Sequence, residues 1–229
     1  MCSALQSLDC KTIEQSSLHI RDCGRVEYRQ ILQKQLMLCK ERQLDRIPDT
    51  VLIVEHPPVI TLGARKSRNK LLVSRSELAK KNIDVVDIHR GGGTTAHNPG
   101  QLVFYPILNL QQLGLCIREY IRKLEAIGAE LLKLFDIHSI RKEDFPGLWV
   151  ENRKIASIGV RVSRFTTYHG MAINIWNDLD IFNYIVPCGL DNVEMTSVMK
   201  ETGKHPSMIE VKKYLTPLLV FDNGSNKHS

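Results

Sequence analysis

The sequence predicts an α+β fold, a single domain in which a mixed, largely antiparallel sheet is flanked by helices. Strand-like apolar runs follow one another in hairpin-like succession, with helical segments between the groups. The chain of 229 residues is long enough for one substantial core. No repeat or low-complexity block interrupts residues 20–220. We therefore expect a loose segment at residues 1–20, one domain at residues 21–222 and a disordered tail at residues 223–229.

The first elements are a helix and two strands. Residues 26–39 carry apolar side chains at helical spacing, which predicts an amphipathic helix. Residues 51–54 and 59–62 are short apolar runs, typical of buried strands. We expect a turn at His56-Pro57-Pro58, between these two strands.

The middle of the chain places a loop between two strands. Ser74 and Glu77 have the spacing of a capping box, which predicts a short helix that ends near residue 80. Residues 83–88 and 102–110 are apolar runs that predict strands. Between them, glycine and proline are concentrated in residues 90–100, so we expect a loop there.

The C-terminal half is richer in strands. Residues 117–135 place apolar side chains at helical spacing and predict a long helix. Strands are predicted at residues 148–150, 155–162 and 166–175, the first two joined by a polar turn. Pro206 at a helix start predicts a last helix that ends near residue 219.

The loop Arg90-Gly91-Gly92-Gly93-Thr94-Thr95-Ala96-His97-Asn98-Pro99-Gly100 is the first candidate functional segment. A loop with so few side chains lets its backbone approach a ligand and offers N–H groups as donors. Arg90 supplies a fixed positive charge, and His97 supplies a group that titrates near neutral pH. The glycines match neither G-x-x-x-x-G-K-[ST] nor G-x-G-x-x-G, so no common phosphate loop is predicted. The alternative is a glycine-rich hairpin connection that binds nothing.

The six cysteines show neither C-x-x-C spacing nor paired histidines. This pattern predicts free thiols in a reducing compartment, the cytoplasm, and no metal site. No apolar run approaches the roughly 20 residues of a membrane span, and we expect neither a secretory signal nor a transit peptide.

Cys188 differs from the other cysteines because it lies between Pro187 and Gly189, in a turn that can present its sulfur. A nucleophilic thiol needs a depressed pKa, and therefore a nearby cation, histidine or helix N-terminus. The candidates for this role are His97, His169 and Lys154, and periodicity does not choose among them.

The formal net charge of +6 is spread along the chain, with small basic clusters at residues 65–70 and around Arg161 and Arg164. Such a surface can steer an acidic partner protein, or it can simply be solvated. No aromatic ladder is interleaved with the basic residues, so nucleic acid is not an expected partner.

Three segments, in order, resemble motifs of the lipoyl(octanoyl) transferase family, which moves octanoyl from acyl carrier protein onto lipoyl domains. The family motif R-G-G-x-x-x-Y-H-G-P-G-Q resembles the segment from Arg90 to Gln101. The motif K-I-x-x-I-G followed by H-G-x-A-x-N resembles Lys154-Ile155-Ala156-Ser157-Ile158-Gly159 and His169-Gly170-Met171-Ala172-Ile173-Asn174. The motif P-C-G…T-S resembles Pro187-Cys188-Gly189 with Thr196-Ser197. Together the three matches are highly specific.

The resemblance implies the fold of the biotin/lipoate protein ligase catalytic domain, and a monomer that needs neither a cofactor nor ATP. It implies that Cys188 carries the acyl group as a thioester and that Lys154 lowers the pKa of its thiol. The implied donor is octanoyl-acyl carrier protein, and the implied acceptors are the lipoyl domains of 2-oxoacid dehydrogenases and the glycine cleavage H protein. The implied substrate-binding residues are Arg90, Gly91, Gly92, Gly93, Thr94, Thr95, Ala96, His97, Ser157, Ile158, Gly159, His169, Gly170, Met171 and Ala172.

Two positions depart from the family motif. Ala96 stands where the family often has tyrosine, which is expected to alter the pocket wall. Asn98 stands where the family has glycine, which suggests a left-handed backbone that asparagine tolerates.

Two rival functions remain open at this stage. An ATP-dependent lipoate or biotin protein ligase of the same fold would use the glycine segment to hold an acyl-adenylate, and would not need Cys188. A non-catalytic module would use the basic surface to bind a carrier protein or nucleic acid, and Cys188→Ala would leave its activity unchanged.

Overall fold

The computed structural model describes residues 11–15, 18–64, 70–186 and 193–221. Of the basic cluster at residues 65–70, the Cys188 turn and the C-terminal tail, for which the sequence also makes predictions, the structure describes only Lys70, and the rest lies outside the described residues. The strands are β1 (Lys11–Gln15), β2 (Leu18–Arg25), β3 (Asp49–Glu55), β4 (Val59–Leu62), β5 (Asp84–Asp87), β6 (Thr95–His97), β7 (Gln101–Ile107), β8 (Ile140–Lys142), β9 (Phe145–Val150), β10 (Arg153–Ser163), β11 (Thr166–Asn174) and β12 (Glu194–Met195).

The described strands form a large mixed sheet and a small one. The large sheet has the order β1-β2-β3-β7-β11-β10-β9-β8, and β12 pairs with β10 at Lys154. Its pairings are antiparallel except β2 with β3 and β10 with β12. The small sheet has the order β5-β4-β6. The predicted α+β fold with a mixed, largely antiparallel sheet is confirmed.

Helices cover both faces of the large sheet. The helices are α1 (Tyr28–Gln43), α2 (Arg75–Lys80), α3 (Ile117–Lys133), α4 (Val198–Thr202) and α5 (Met208–Leu215), with a 3-10 helix at Leu179–Tyr184. Strand residues alternate between the faces, so Leu102 and Phe104 share a core with α3 and α5, whereas Val103 and Tyr105 share a core with α1. None of the described helices is long and apolar enough to cross a membrane.

Two boundaries of the predicted organisation differ from the structure. The sheet begins at Lys11, before the expected domain boundary at residue 21, because β1 and β2 form an edge hairpin whose sequence is too polar to stand out. The last helix begins at Met208 rather than Pro206, and Ser207 caps it by accepting from the Glu210 N–H.

The cysteines do not all match the expectation of free thiols. Cys39 is a buried free thiol and Cys116 is an exposed one, whereas Cys23 is disulfide-bonded. The prediction of free thiols is therefore wrong for Cys23, because the spacing of cysteines in a sequence does not determine which thiols pair.

Candidate functional site

The glycine segment lies against the part of β10 that extends beyond its pairing with β9. The Gly91 N–H donates to the Val160 carbonyl at 2.9 Å. The buried Arg90 guanidinium donates to Thr61 Oγ1 at 2.8 Å. A Cβ on Gly159 would lie 2.7 Å from Arg90 Cδ, so the contact requires glycine in β10 as well as in the loop.

A cleft opens on the α1 face of the sheet, beneath this segment, and we call it the acyl cleft because the resemblance implies that its lining residues bind the acyl substrate. It contains about 430 Å³ of empty space, its open mouth included. Eleven of the predicted substrate-binding residues line it: Arg90, Gly92, Thr95, His97, Ser157, Ile158, Gly159, His169, Gly170, Met171 and Ala172. Tyr28, Val103 and Tyr105 complete the lining, and none of them was predicted as a site residue.

Four of the predicted residues do not line the acyl cleft. Gly91 instead borders a neighbouring cavity. Gly93, Thr94 and Ala96 are buried and border neither cavity. Because β6 alternates its side chains, Thr95 and His97 face the cleft while Ala96 packs into a core with Ile60. Ala96, which stands where the family often has tyrosine, is therefore not part of the cleft wall.

The expected left-handed backbone at Asn98 is wrong. Its φ is not positive, whereas Gly100, two residues later, has a φ of +88°. The Asn98 side chain instead donates to the Asp178 carbonyl at 2.7 Å and accepts from Asn177 Nδ2 at 3.0 Å. Asparagine is therefore held here by its amide contacts rather than by a left-handed backbone.

Three buried histidines lie at or beside the floor of the acyl cleft. Burial lowers the pKa of His56 to about 4 and, together with the positive charges of Arg90 and Arg161, the pKa of His169 to about 3. The pKa of His97 also lies well below its ordinary value, chiefly because the ring is buried. All three rings are therefore neutral at pH 7.

The cleft floor is tied together by these rings and two tyrosines. His56 Nδ1 lies 2.7 Å from the Val26 carbonyl, which can only accept, so Nδ1 carries the hydrogen. The other ring nitrogen, Nε2, then accepts from the Tyr105 hydroxyl at 2.8 Å. The Tyr28 ring stacks on His97 at 5.8 Å between centroids, and burial raises the pKa of both tyrosines.

His169 has a backbone conformation that is unusual for a residue within a β-strand. Its φ is +58° although it lies within β11. The N–H of His169 donates to Gln35 Oε1 at 2.7 Å, which holds the strand against α1. Left-handed non-glycine residues cluster at functional sites, so this conformation supports the prediction that His169 is a site residue.

Lys154 lies in a second cavity, which we call the lysine cavity. The residue is buried, with 1% of its surface exposed, beside an irregularity in the β9–β10 pairing. Its Nζ donates to the Pro146 carbonyl at 3.2 Å and lies 5.1 Å from the centre of the Trp149 ring. The lysine cavity shares Gly92, Ile158 and Gly159 with the lining of the acyl cleft.

Cys188 lies outside the described residues, but the chain on either side of it is anchored at this site. The Val186 N–H donates to the Lys70 carbonyl at 3.2 Å, and the Lys70 N–H donates to Thr94 Oγ1 at 3.1 Å. On the other side, Met195 of β12 pairs with Lys154, and the Thr196 N–H donates to the Lys154 carbonyl at 2.9 Å. Both flanks of the cysteine segment therefore attach to predicted site residues.

A chain of side-chain amides connects these parts. Gln101 Nε2 donates to the Ala96 carbonyl and to Asn174 Oδ1, so Gln101 Oε1 faces His97 Nδ1, at 2.7 Å. This contact places the ring hydrogen of the neutral His97 on Nδ1 and leaves a lone pair on Nε2. Asn174 Nδ2 in turn donates to the Thr196 carbonyl at 2.9 Å.

No local sequence pattern marks the three cleft residues that were not predicted as site residues. Tyr28 belongs to the apolar face of α1. Val103 and Tyr105 lie on the same face of a strand whose residues are all buried. Periodicity assigns such residues to a core but does not show where the core is hollow.

Comparison with known proteins points to one family. Residues 27–219 match the family model of the lipoyl protein ligase A/B catalytic domain. An octanoyltransferase of Syntrophobacter fumaroxidans is 43% identical over 190 residues, which cover 83% of each chain. A mitochondrial octanoyltransferase of Arabidopsis thaliana is 39% identical over 187 residues, 81% of this chain and 80% of that one.

Solved structures share the fold at low sequence identity. P. falciparum LipL1 in complex with lipoate is 12% identical and superposes with a TM-score of 0.66 over 88% of this chain and 60% of that one. A bipartite lipoate protein ligase from Thermoplasma acidophilum is 14% identical, with a TM-score of 0.60 over 81% of this chain and 77% of that one.

Proposed function

Because the chain belongs to the family of the lipoyl protein ligase A/B catalytic domain, we propose that it is an octanoyltransferase of protein lipoylation that works through a cysteine thioester. The donor is an octanoyl-acyl carrier protein, and the acceptors are lysines of lipoyl domains, those of 2-oxoacid dehydrogenases and the glycine cleavage H protein. The proposed catalytic domain comprises the predicted residues 21–222 together with the sheet residues that precede them, from Lys11, and it acts as a monomer in the cytoplasm without ATP.

One observation carries the proposed chemistry. The side chain of Lys154 is buried in the lysine cavity, which adjoins the acyl cleft, and its backbone pairs with β12, the strand that follows the Cys188 segment. Lys154 Nζ already donates to the Pro146 carbonyl, and an ammonium has further N–H groups that can hold an anion. A cysteine thiolate stabilised by a nearby cation is an effective nucleophile for acyl transfer. This placement supports Cys188 as the acyl carrier and Lys154 as the residue that activates it.

The first half-reaction loads the enzyme. The Cys188 thiolate attacks the carbonyl carbon of the donor thioester, and a carbon–sulfur bond to Cys188 replaces the one to the carrier. The carrier sulfur leaves as a thiolate and takes a proton from the Lys154 ammonium. Lys154 is then neutral beside an octanoyl-enzyme thioester, and the acyl chain lies in the acyl cleft.

The second half-reaction reverses the role of Lys154. The amine of an acceptor lysine attacks the thioester carbonyl, and neutral Lys154 accepts the proton that this amine loses. Amide formation expels the Cys188 thiolate, which restores the starting ion pair. Backbone N–H groups near the glycine segment are the proposed donors to the developing oxyanion. A thioester is already activated, so the sequence of steps consumes no ATP.

Intact-mass measurement tests this proposal. When the protein is mixed with octanoyl-carrier protein in the absence of ATP, we expect it to gain one octanoyl group. The adduct should map to Cys188 and be absent in Cys188→Ala. Cys116→Ala removes an exposed free thiol and serves as the matched control, which should still load. An adduct on another residue, or lipoyl-domain modification only when ATP is added, would contradict the proposal and favour a ligase.

A further inference from the structure

A third cavity, which we call the arginine groove, runs between α3 and the β8–β9 hairpin. Arg118 and Arg122 line it from α3, and Arg141 and Lys142 line it from β8. Arg118 and Arg122 are four residues apart on one helix, so their side chains lie on the same face, about 6 Å apart along the axis. The groove therefore concentrates guanidinium groups on one strip of surface.

The arginines of the groove form no close ion pair with a carboxylate in the described part of the chain. Arg29 pairs with Asp84 at 3.2 Å and Arg153 with Glu201 at 2.9 Å, whereas Arg118, Arg122 and Arg141 have no such contact within 4.0 Å.

Two carboxylates also line the groove. Glu125 is buried and already accepts from the Gly147 N–H at 3.1 Å, and Glu143 is exposed. The positive charges outnumber these carboxylates, so the groove favours an anion.

The arginine groove adjoins the lysine cavity. Ile117, Ile121, Glu143 and Pro146 line both. The lysine cavity in turn shares part of its lining with the acyl cleft. From the interior outward, the protein thus presents an apolar cleft, a buried lysine and an arginine-rich groove with isoleucine on its wall.

We propose that the arginine groove binds the phosphate of the phosphopantetheine arm through which an acyl carrier protein presents its octanoyl thioester. This inference rests on the proposed function. Along that arm, the acyl chain is followed by the thioester, the pantetheine and then the phosphate, which is the order of the three cavities. Arg118, Arg122 and Arg141 would hold the phosphate through charge-assisted hydrogen bonds, and Ile117, which is 50% exposed, would contact the arm.

Binding to the Cys188→Ala protein tests the inference without acyl transfer. Calorimetry would compare octanoyl-pantetheine with the methyl ester of octanoyl-4′-phosphopantetheine, which keeps the single charge of the carrier-bound diester. We expect the phosphorylated compound to bind about tenfold tighter. In the Arg118→Ala/Arg122→Ala form of the same protein, the two affinities should become equal. Lys133→Ala, which removes an exposed charge from the same helix outside the groove, should keep the tenfold ratio.

Equal affinities before substitution, or an unchanged ratio in the double variant, would overturn the inference. Competition distinguishes the source of the phosphate: octanoyl-coenzyme A that binds more tightly than octanoyl-carrier protein would overturn the assignment to a carrier. The proposed function fails separately, because it requires an octanoyl adduct on Cys188. A phosphate preference without an adduct would leave the groove assignment standing, and an adduct without the preference would refute the groove assignment alone.

Discussion

Gln101 Nε2 donates to Asn174 Oδ1 at 2.9 Å, which joins β7 to β11 through their side chains. Because Gln101 also holds His97, and Asn174 also holds Thr196, this one contact links the acyl cleft to the chain that follows Cys188. Both amides are buried, so each would lose a buried hydrogen bond if the other were removed.

Breaking this link should destabilise the fold. Asn174→Leu removes one of the two acceptors of Gln101 Nε2 and the donor to the Thr196 carbonyl, which should cost about 1–3 kcal/mol of unfolding free energy, measured by urea denaturation. The double variant Gln101→Leu/Asn174→Leu should cost less than the sum of the single variants. Asn183→Ala changes an exposed asparagine and should have little effect. Strict additivity of the two buried substitutions would contradict the coupling.

The buried neutral histidines predict acid sensitivity. His56 and His169 have pKa values of about 4 and about 3 in the fold, against 6.5 in an unfolded chain. The unfolded state therefore binds more protons below pH 6.5, so their contribution to stability is complete above that pH and is lost as pH falls toward 3. At pH 5, each ring should account for about 2 kcal/mol of lost unfolding free energy.

His169→Asn tests this prediction, because asparagine tolerates a left-handed backbone and does not titrate in this range. We expect the loss of unfolding free energy between pH 7 and pH 5 to be about 2 kcal/mol smaller in this variant. His138→Asn, at an exposed position, should lose as much as the unsubstituted protein. Equal pH slopes in all three proteins would show that His169 is not the titrating group.

Lys154 should control the reactivity of Cys188. With Lys154→Met, the pH midpoint for iodoacetamide alkylation of Cys188, followed by peptide mapping, should rise by about 1 unit or more, because a neighbouring cation favours the thiolate. Lys142→Met is the matched control, since the Lys142 ammonium lies 4.5 Å from the centre of the same Trp149 ring but does not line the lysine cavity. An unchanged midpoint in Lys154→Met would remove Lys154 from this role.

The floor of the acyl cleft should set the preferred chain length. Ala172 faces the cleft and pairs with Val103 across the sheet. Ala172→Val should shift the ratio of kcat/KM values for octanoyl and hexanoyl donors toward hexanoyl by about tenfold, because the added methyl groups shorten the cleft. Ala126→Val, at an exposed position on α3, should keep the original ratio. If Ala172→Val also keeps it, the acyl chain does not lie in this cleft.

Local chemistry made several elements predictable. The Ser74–Glu77 capping box is present, with Ser74 accepting from the Glu77 N–H and Glu77 accepting from the Ser74 N–H. The helical spacing of apolar residues also placed α3 correctly at its N-terminal end, Ile117. Such features depend on residues a few positions apart, which a sequence displays directly.

The remaining features depend on residues far apart in the chain. The two-residue strand β12 has no pattern of its own and exists because it pairs with β10. The floor residues Tyr28 and Tyr105 meet only when α1 covers β7. The motif predicts that Ala96 lines the pocket, but the alternation of side chains along β6 places it in the core on the opposite face.

The attachment of the Val186 N–H and Thr94 Oγ1 to Lys70 uses only the peptide groups of that residue. Every amino acid has the carbonyl, and every one except proline has the N–H. The join between the glycine segment and the chain ahead of Cys188 would therefore survive almost any replacement at position 70. Mutational scanning would therefore report position 70 as tolerant of substitution, although the glycine segment and the chain ahead of Cys188 are both hydrogen-bonded to it.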